Sequence, residues 1–143
     1  MKLGFTGTRE GLTERQKERL RELMSFCLMT EEITEAHHGD CVGGDEQFHG
    51  LALELEIPKI VIHPPIDSKL RAWCSDDNDG AINVVLLPER PYLRRNRNII
   101  RDTDRIIGCP KESIEPEVER GQGTWSTIRQ ARNRDKLLEI IWP

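Results

Sequence analysis

The sequence predicts an α/β fold, a three-layer sandwich in which helices cover both faces of a mostly parallel central sheet. Short apolar runs alternate with longer segments of helical periodicity along the whole chain, which is the pattern of successive βαβ units. No internal repeat or linker-like stretch interrupts this alternation, and 143 residues suit one domain of ordinary size. We therefore expect residues 1–143 to form a single domain.

The first half of the chain is predicted to hold three strands and two helices. Thr13 stands three residues before Gln16, which is the spacing of a capping box, and apolar residues then recur at helical intervals. A second helix is predicted to begin near Asp45, with Phe48 and Ala52 on its inner face. The predicted strands are residues 3–6, 33–38 and 59–63, and the first helix is residues 14–29.

The second half is predicted to begin with a polar loop over residues 66–80, with one helical turn near residues 70–73. Two helices and three strands follow, and Ile99, Ile100 and Thr103 are predicted to be buried. The predicted strands are residues 82–86, 105–108 and 137–142, and the helices are residues 92–103 and 124–134.

The charge distribution is uneven although the net charge is only −4. Residues 31–88 hold 12 acids against 3 bases, whereas residues 89–111 hold 7 bases against 3 acids. A general nucleic-acid binder is usually basic overall, so the local positive charge suits a small anion better than a long polyanion. The alternative is a solvated, arginine-rich helix face.

The composition also predicts a cytoplasmic protein with no membrane segment. No apolar run approaches the roughly 20 residues that span a bilayer, and the glycine-broken N-terminus does not read as a signal peptide. The four cysteines contain no C-x-x-C pair, which argues against a zinc site or a disulfide framework and fits a reducing compartment.

Parallel sheets bind ligands beyond the carboxyl ends of their strands, and the first two such loops carry suitable residues. After the first strand, Gly7 lets the backbone approach a ligand, the Thr8 hydroxyl can donate to an oxyanion and Arg9 can form paired hydrogen bonds. In the next loop, Gly43 and Gly44 open a helix whose free amides can bind an anion. Asp45 is either the cap of that helix or a carboxylate that accepts hydrogen bonds from a ribose or base.

Two later loops are predicted to hold a phosphate. The helix after Pro91 begins with several guanidinium and amide donors, of which Arg95 and Asn96 are the best candidates for ligand contact, ahead of Arg94 and Arg97. Before the last helix, two glycines and hydroxyl residues form a phosphate cradle, and Trp125 within it is a candidate for contact with a base. The cradle residues predicted to bind ligand are Gly121, Gly123 and Thr124.

A metal site is not expected. His37 and His38 are adjacent in a predicted strand, so they point to opposite faces and cannot both ligate one ion together with Cys41 and His49. We predict no cofactor.

The order of these loops resembles the SLOG superfamily, which unites the Lonely-guy cytokinin-activating phosphoribohydrolases with the Rossmann-like domain of DNA-processing protein A. The Lonely-guy pattern is an arginine helix, a strand and then P-G-G-x-G-T-x-x-E; here the predicted strand 105–108 is followed by Pro110, and G-Q-G-T comes at residues 121–124. The pattern G-x-D-x-x-x-H of DNA-processing protein A matches residues 43–49. The R-N-R motif of the superfamily matches residues 95–97. The resemblance is closest to small stand-alone bacterial and phage members and implies a Rossmann-like, nucleotide-binding fold.

One departure bears on catalysis. In the Lonely-guy hydrolases a glutamate three residues after the G-T pair acts with the helix arginine to cleave an N-glycosidic bond, and this chain has Thr127 there. A threonine cannot act as a carboxylate base, so enzymatic activity is uncertain. If the protein is a phosphoribohydrolase-like nucleotide N-glycosidase, the predicted catalytic residues are Arg95 and Asp45.

The sequence thus supports three functions. The leading prediction is a sensor or ligand-binding protein for a nucleotide or nucleotide derivative. In it, Gly7, Thr8 and Arg9 line one side of the ligand site, and the loop at residues 43–45 holds the ribose or base. The first alternative is an N-glycosidic hydrolase of nucleoside 5′-monophosphates, and the second is a single-stranded DNA-binding module. The resemblance also implies a homo-oligomer.

Overall fold

The computed structural model describes residues 1–77, 80, 82–117 and 123–143. Its core is a six-stranded sheet in which all neighbouring strands are parallel, so the predicted three-layer α/β class is confirmed. In chain order the elements are β1 (Lys2–Gly7), α1 (Glu14–Thr30), β2 (Glu35–His38), α2 (Gly44–Glu54), β3 (Lys59–Ile62), β4 (Asn83–Leu86), α3 (Tyr92–Asp102), β5 (Arg105–Cys109), α4 (Thr124–Asn133) and β6 (Leu137–Ile140).

The strand order is β4-β3-β2-β1-β5-β6. The chain moves from β1 to the β4 edge and then crosses back to place β5 on the other side of β1. The order therefore reverses between β1 and β5, and such a switch point opens a crevice at the carboxyl ends of the strands.

Apolar side chains fill the spaces on both faces of the sheet. The larger core lies under α1 and α2, where the rings of Phe5 and Phe48 stack with their centroids 4.5 Å apart. The smaller core lies under α3 and α4 and includes the predicted buried residues Ile99 and Ile100. Helices thus cover both faces, as a parallel sheet requires.

The predicted capping box starts α1. The Thr13 side chain accepts from the Gln16 backbone amide at 3.1 Å, and the Gln16 side chain accepts from the Thr13 amide at 3.1 Å. The Gln16 side chain is itself fully buried and donates to the carbonyl oxygens of Pro110 and Ile141, so one residue caps the helix and ties it to the ends of β5 and β6.

The predicted helical turn at residues 70–73 is misplaced. Two 3₁₀ turns, Ser68–Leu70 and Cys74–Asp77, lie on either side of residues 71–73. These three residues form no helical turn, because Arg71 is extended and Trp73 has the left-handed φ of 58°. Between them the Ala72 amide donates to the Asp40 carbonyl at 2.7 Å. No described helix has the length and apolar character needed to cross a membrane.

Candidate functional site

A cleft of about 1030 Å³ lies at the switch point of the sheet. It is lined by the β1–α1 loop, the start of α3, the segment after β5 and the first turn of α4. Most residues that the sequence predicts to bind ligand line this one cleft: Gly7, Thr8, Arg9, Asp45, Arg95, Asn96, Gly123, Thr124 and Trp125.

Gly43 and Gly44 are not among the residues that line the cleft. Gly43 has φ of 87°, and a Cβ there would lie 2.4 Å from the Arg9 carbonyl oxygen. The Gly44 amide donates to the Thr8 carbonyl at 2.8 Å, so this end of α2 already has a protein acceptor. The two glycines therefore allow the β1–α1 loop to pack against α2. Gly121, which was also predicted to bind ligand, lies outside the described residues.

Arg95 is buried at the floor of the cleft and is held by the protein. Its Nε donates to Asn96 Oδ1 at 2.7 Å, and its Nη1 donates to the carbonyl oxygens of Gly39 and His63. Both Nη atoms also lie 3.8 Å from the Cys41 sulfur. Because most of its donors already have acceptors, Arg95 mainly organises the cleft floor and supplies positive charge there.

Asp45 lies beside this guanidinium and does not cap α2. The cap position is Gly43, and the Asp45 carboxylate instead accepts from the backbone amides of Cys41, at 3.2 Å, and Gly39. Burial raises the pKa of Asp45 to about 6, against the opposing effects of the Arg95 charge and the two amides. A buried carboxyl that titrates near neutral pH in a cleft has the properties of a general acid or base.

The other cations of the cleft differ in how they are paired. Lys111 forms an ion pair with Glu10 at 3.1 Å, and Arg129 forms one with Glu115 at 3.3 Å. Arg9 is the exception: among the described residues it has no hydrogen bond or ion pair, and its guanidinium carbon lies 4.8 Å from the centre of the Tyr92 ring. Among the described cations that line the cleft, Arg9 is therefore the one that is free to bind an anion.

The first turn of α4 supplies a second feature suited to anions. Gly123 occupies the cap position, and no described side chain caps the helix. The amides of a helix's first turn lack partners within the helix and lie at the positive end of its dipole. Because Gly123, Thr124 and Trp125 line the cleft, this uncapped turn and the free Arg9 border the same cavity.

Trp125 is fixed in the wall of the cleft. Its side chain is 7% exposed, its indole nitrogen donates to Glu112 at 2.9 Å, and its ring packs against Trp142 with centroids 5.7 Å apart. Thr127 is 1% exposed and is absent from the cleft lining. The position that carries the catalytic glutamate in the Lonely-guy pattern thus lies beneath the surface here.

The histidines form two separate buried pairs. His37 Nδ1 lies 2.9 Å from His63 Nε2, and His38 Nε2 lies 2.9 Å from His49 Nδ1. His37 and His38 therefore face opposite sides of the sheet, in agreement with the alternation of a strand. Burial lowers the pKa of His63 to about 3 and that of His38 well below its ordinary value, so both rings are neutral at pH 7.

His38, His49 and Cys74 are the closest approach to a metal-ligand set among the described residues. The Asp40 amide donates to His38 Nδ1 at 3.0 Å, which requires that this nitrogen carry no proton. A neutral histidine that ligates through Nε2 carries its proton on Nδ1, and its other nitrogen normally donates. The hydrogen bonds of this cluster therefore fit a buried polar network better than a metal site.

Sequence reasoning assigned no role to Tyr92, Gly39 or His63. Tyr92 lies between Arg9 and Arg95, and the backbones of Gly39 and His63 hold Arg95. One feature of the sequence could have indicated a role for Tyr92: it lies directly after Pro91, at the start of the arginine-rich helix.

Comparison of the chain with protein-family models and with curated protein sequences finds no match. Membership of the SLOG superfamily therefore stays a prediction, and the functional argument depends on the fold and on the geometry of the cleft.

Proposed function

We propose that this protein binds a nucleotide or nucleotide-derived ligand in the cleft at the β1–β5 switch point. The observation that carries the proposal is that the unpaired Arg9 and the uncapped first turn of α4 border the same cavity. A guanidinium and free helix amides together suit a phosphate group. Arg95 was the residue predicted to bind the phosphate, and we assign that role to Arg9 instead.

The carboxylate and amide side chains of the cleft suit the ribose or base of such a ligand. Asp45 offers carboxylate oxygens that can accept from hydroxyl or amino groups, and Asn96 also lines the cleft. The same cavity therefore offers groups for an anion and groups for hydrogen-bond donors. A cavity of about 1030 Å³ has room for a molecule of nucleotide size.

Thermal unfolding in the presence of nucleosides, nucleoside monophosphates and nucleoside diphosphates tests this proposal. A ligand that binds the folded state raises the melting temperature. We expect nucleotides to raise it more than the matching nucleosides, and Arg9→Gln to remove that difference. Arg94→Gln, which changes an exposed arginine on α3 that does not line the cleft, is the control. Equal shifts from nucleosides and nucleotides, or no shift from any of them, would overturn the proposal.

A second candidate function is N-glycosidic hydrolysis of nucleoside 5′-monophosphates, and the raised pKa of Asp45 is the observation that favours it. A carboxyl with a pKa of about 6 can exchange a proton with a leaving base or an attacking water near neutral pH. Incubation with each monophosphate and chromatography for free base tests it. Release that is abolished by Asp45→Asn supports hydrolysis, whereas tight binding without release supports a sensor.

We infer that the predicted homo-oligomer forms through a groove beside α1. A groove of about 320 Å³ between α1 and β6 is flanked by Phe26, which is 59% exposed, and Trp142, which is 40% exposed. Light scattering on the wild-type protein and on Phe26→Ser tests whether this groove joins two copies.

A further inference from the structure

Tyr92 occupies a central place in the cleft without a hydrogen bond for its hydroxyl group. Its oxygen is buried and has no partner among the described residues, although the residue lines the cleft. A buried hydroxyl without a partner destabilises a folded protein, so such a group calls for an explanation. The explanation that we consider is a partner that the ligand supplies.

The ring of Tyr92 lies close to two guanidinium groups. Arg95 Cζ is 5.2 Å from the ring centre and Arg9 Cζ is 4.8 Å from it. Arg95 is fixed by its bonds to Gly39, His63 and Asn96, whereas Arg9 is exposed and is held only by the ring. An anion can therefore draw Arg9 away from the ring without breaking an ion pair among the described residues.

We propose that the Tyr92 hydroxyl donates a hydrogen bond to an oxygen atom at the phosphate end of the bound ligand, after Arg9 has moved from the ring towards the phosphate. This inference rests on the proposed function and identifies a ligand contact that it does not include. The phosphate end is the appropriate partner because the ring that carries the hydroxyl is also the surface on which Arg9 rests.

The protonation state of Tyr92 agrees with this role. Burial raises the pKa of the phenol above its ordinary value, Cys41 and Asp67 add to the effect, and the charges of Arg9 and Arg95 oppose it. The hydroxyl therefore keeps its proton at neutral pH and acts as a donor, which is the role that a phosphate oxygen requires.

The test measures two properties of Tyr92→Phe, which keeps the ring beneath Arg9 and removes only the hydroxyl. In the absence of ligand we expect the melting temperature to stay the same or rise, because an unsatisfied buried group is lost. Titration calorimetry with the 5′-mono- and diphosphates of adenosine, guanosine, cytidine and uridine should show affinity about tenfold weaker than wild type for the nucleotide that binds, as expected for the loss of one hydrogen bond to a charged acceptor. A merely structural tyrosine would not change stability and affinity in these opposite senses.

Leu93→Ala, at an exposed neighbour of Tyr92 on α3, is the control and should bind as wild type does. An affinity of Tyr92→Phe within twofold of wild type overturns the inference and leaves the proposed function intact. A lower melting temperature for ligand-free Tyr92→Phe also overturns it, since the hydroxyl would then have a partner in the free protein. If none of these mono- and diphosphates binds the wild-type protein, the proposed function fails, and this inference fails with it.

Discussion

The Cα of Gly39 lies directly against the guanidinium of Arg95, so that a Cβ at residue 39 would be 2.1 Å from Arg95 Nη1. Arg95 Nη1 also donates to the carbonyl oxygen of Gly39. Because residue 39 has no side chain, its backbone can approach the buried guanidinium of Arg95 closely enough to bind it.

Gly39→Ala is expected to lower the free energy of unfolding by about 1–3 kcal/mol, because the added methyl group displaces Arg95 from a tightly packed position. Urea denaturation measures the change. Gly50→Ala is the matched control: a Cβ there meets no atom within 4 Å, and alanine within a helix such as α2 should add about 0.5–1 kcal/mol. Equal effects of the two substitutions would show that residue 39 is not closely packed.

Asp45→Asn is expected to stabilise the protein at pH 8 by an amount on the order of 2 kcal/mol, because it removes a buried negative charge and retains an oxygen acceptor for the Cys41 amide. The folded-state pKa is raised to about 6, so the wild-type carboxyl takes up its proton as the pH falls through 6. The advantage of the variant should therefore shrink between pH 7 and pH 4. Urea denaturation at pH 8, 6.5 and 5 measures this difference.

Glu46→Gln, at an exposed acid in the same turn of α2, should show no comparable dependence on pH. A difference between Asp45→Asn and wild type that stays constant from pH 8 to pH 5 would contradict the raised pKa.

The buried histidines are expected to make the protein less stable in acid. Burial lowers the pKa of His63 to about 3 and lowers that of His37, so the unfolded chain binds more protons than the folded chain below pH 6.5. The free energy of unfolding contributed by these groups should fall as the pH decreases from 6.5 towards 3. We expect His63→Gln to reduce this slope, measured by urea denaturation of both proteins; an unchanged slope would be evidence against a neutral, buried His63.

Arg71→Met is expected to cost about 3–5 kcal/mol, because Asp40 is fully buried and would lose its charge partner. Arg21→Met removes one member of the Arg21–Glu54 pair, whose side chains are 50% and 58% exposed, and should cost less than about 1 kcal/mol. Urea denaturation of the two variants compares a buried with an exposed ion pair. Similar costs would mean that the Asp40–Arg71 pair is open to solvent.

Thr127→Glu is expected to yield an unstable protein rather than a hydrolase. Residue 127 is 1% exposed, so a carboxylate there would be buried without a cation, at a cost of about 3 kcal/mol or more. Thr127→Val should instead be neutral or stabilising, because the threonine hydroxyl has no partner among the described residues. Melting temperatures and an assay for free base check both variants, and release of base by a folded Thr127→Glu protein would contradict this placement.

The order and type of the elements could be predicted because hydrophobic periodicity and turn residues act locally. Thr13 and Gln16 formed the expected capping box, and Ile99 and Ile100 are buried as their spacing indicated. The helical turn near residue 70 was misplaced because the backbone of Ala72 is held by Asp40, a contact across 32 positions that no local pattern reveals.

The candidate site was predictable to the level of its loops, because parallel strands bring their carboxyl ends to one edge of the sheet. The roles of individual side chains were not. Arg95 lies in the cleft, but its hydrogen bonds to Gly39 and His63 span 56 and 32 positions in the chain. Those bonds, with the ion pairs of Lys111 and Arg129, leave Arg9 as the unpaired cation among the described residues of the cleft, and the local sequence does not show this.

The most direct test of this account is the position of the phosphorus atom in a crystal structure of the protein with the nucleotide that gives the largest thermal shift. We expect the phosphate to lie in the cleft, within hydrogen-bonding distance of the Arg9 guanidinium and of the backbone amides in the first turn of α4. A phosphate bound elsewhere on the protein, with Arg9 still resting on the Tyr92 ring, would contradict it.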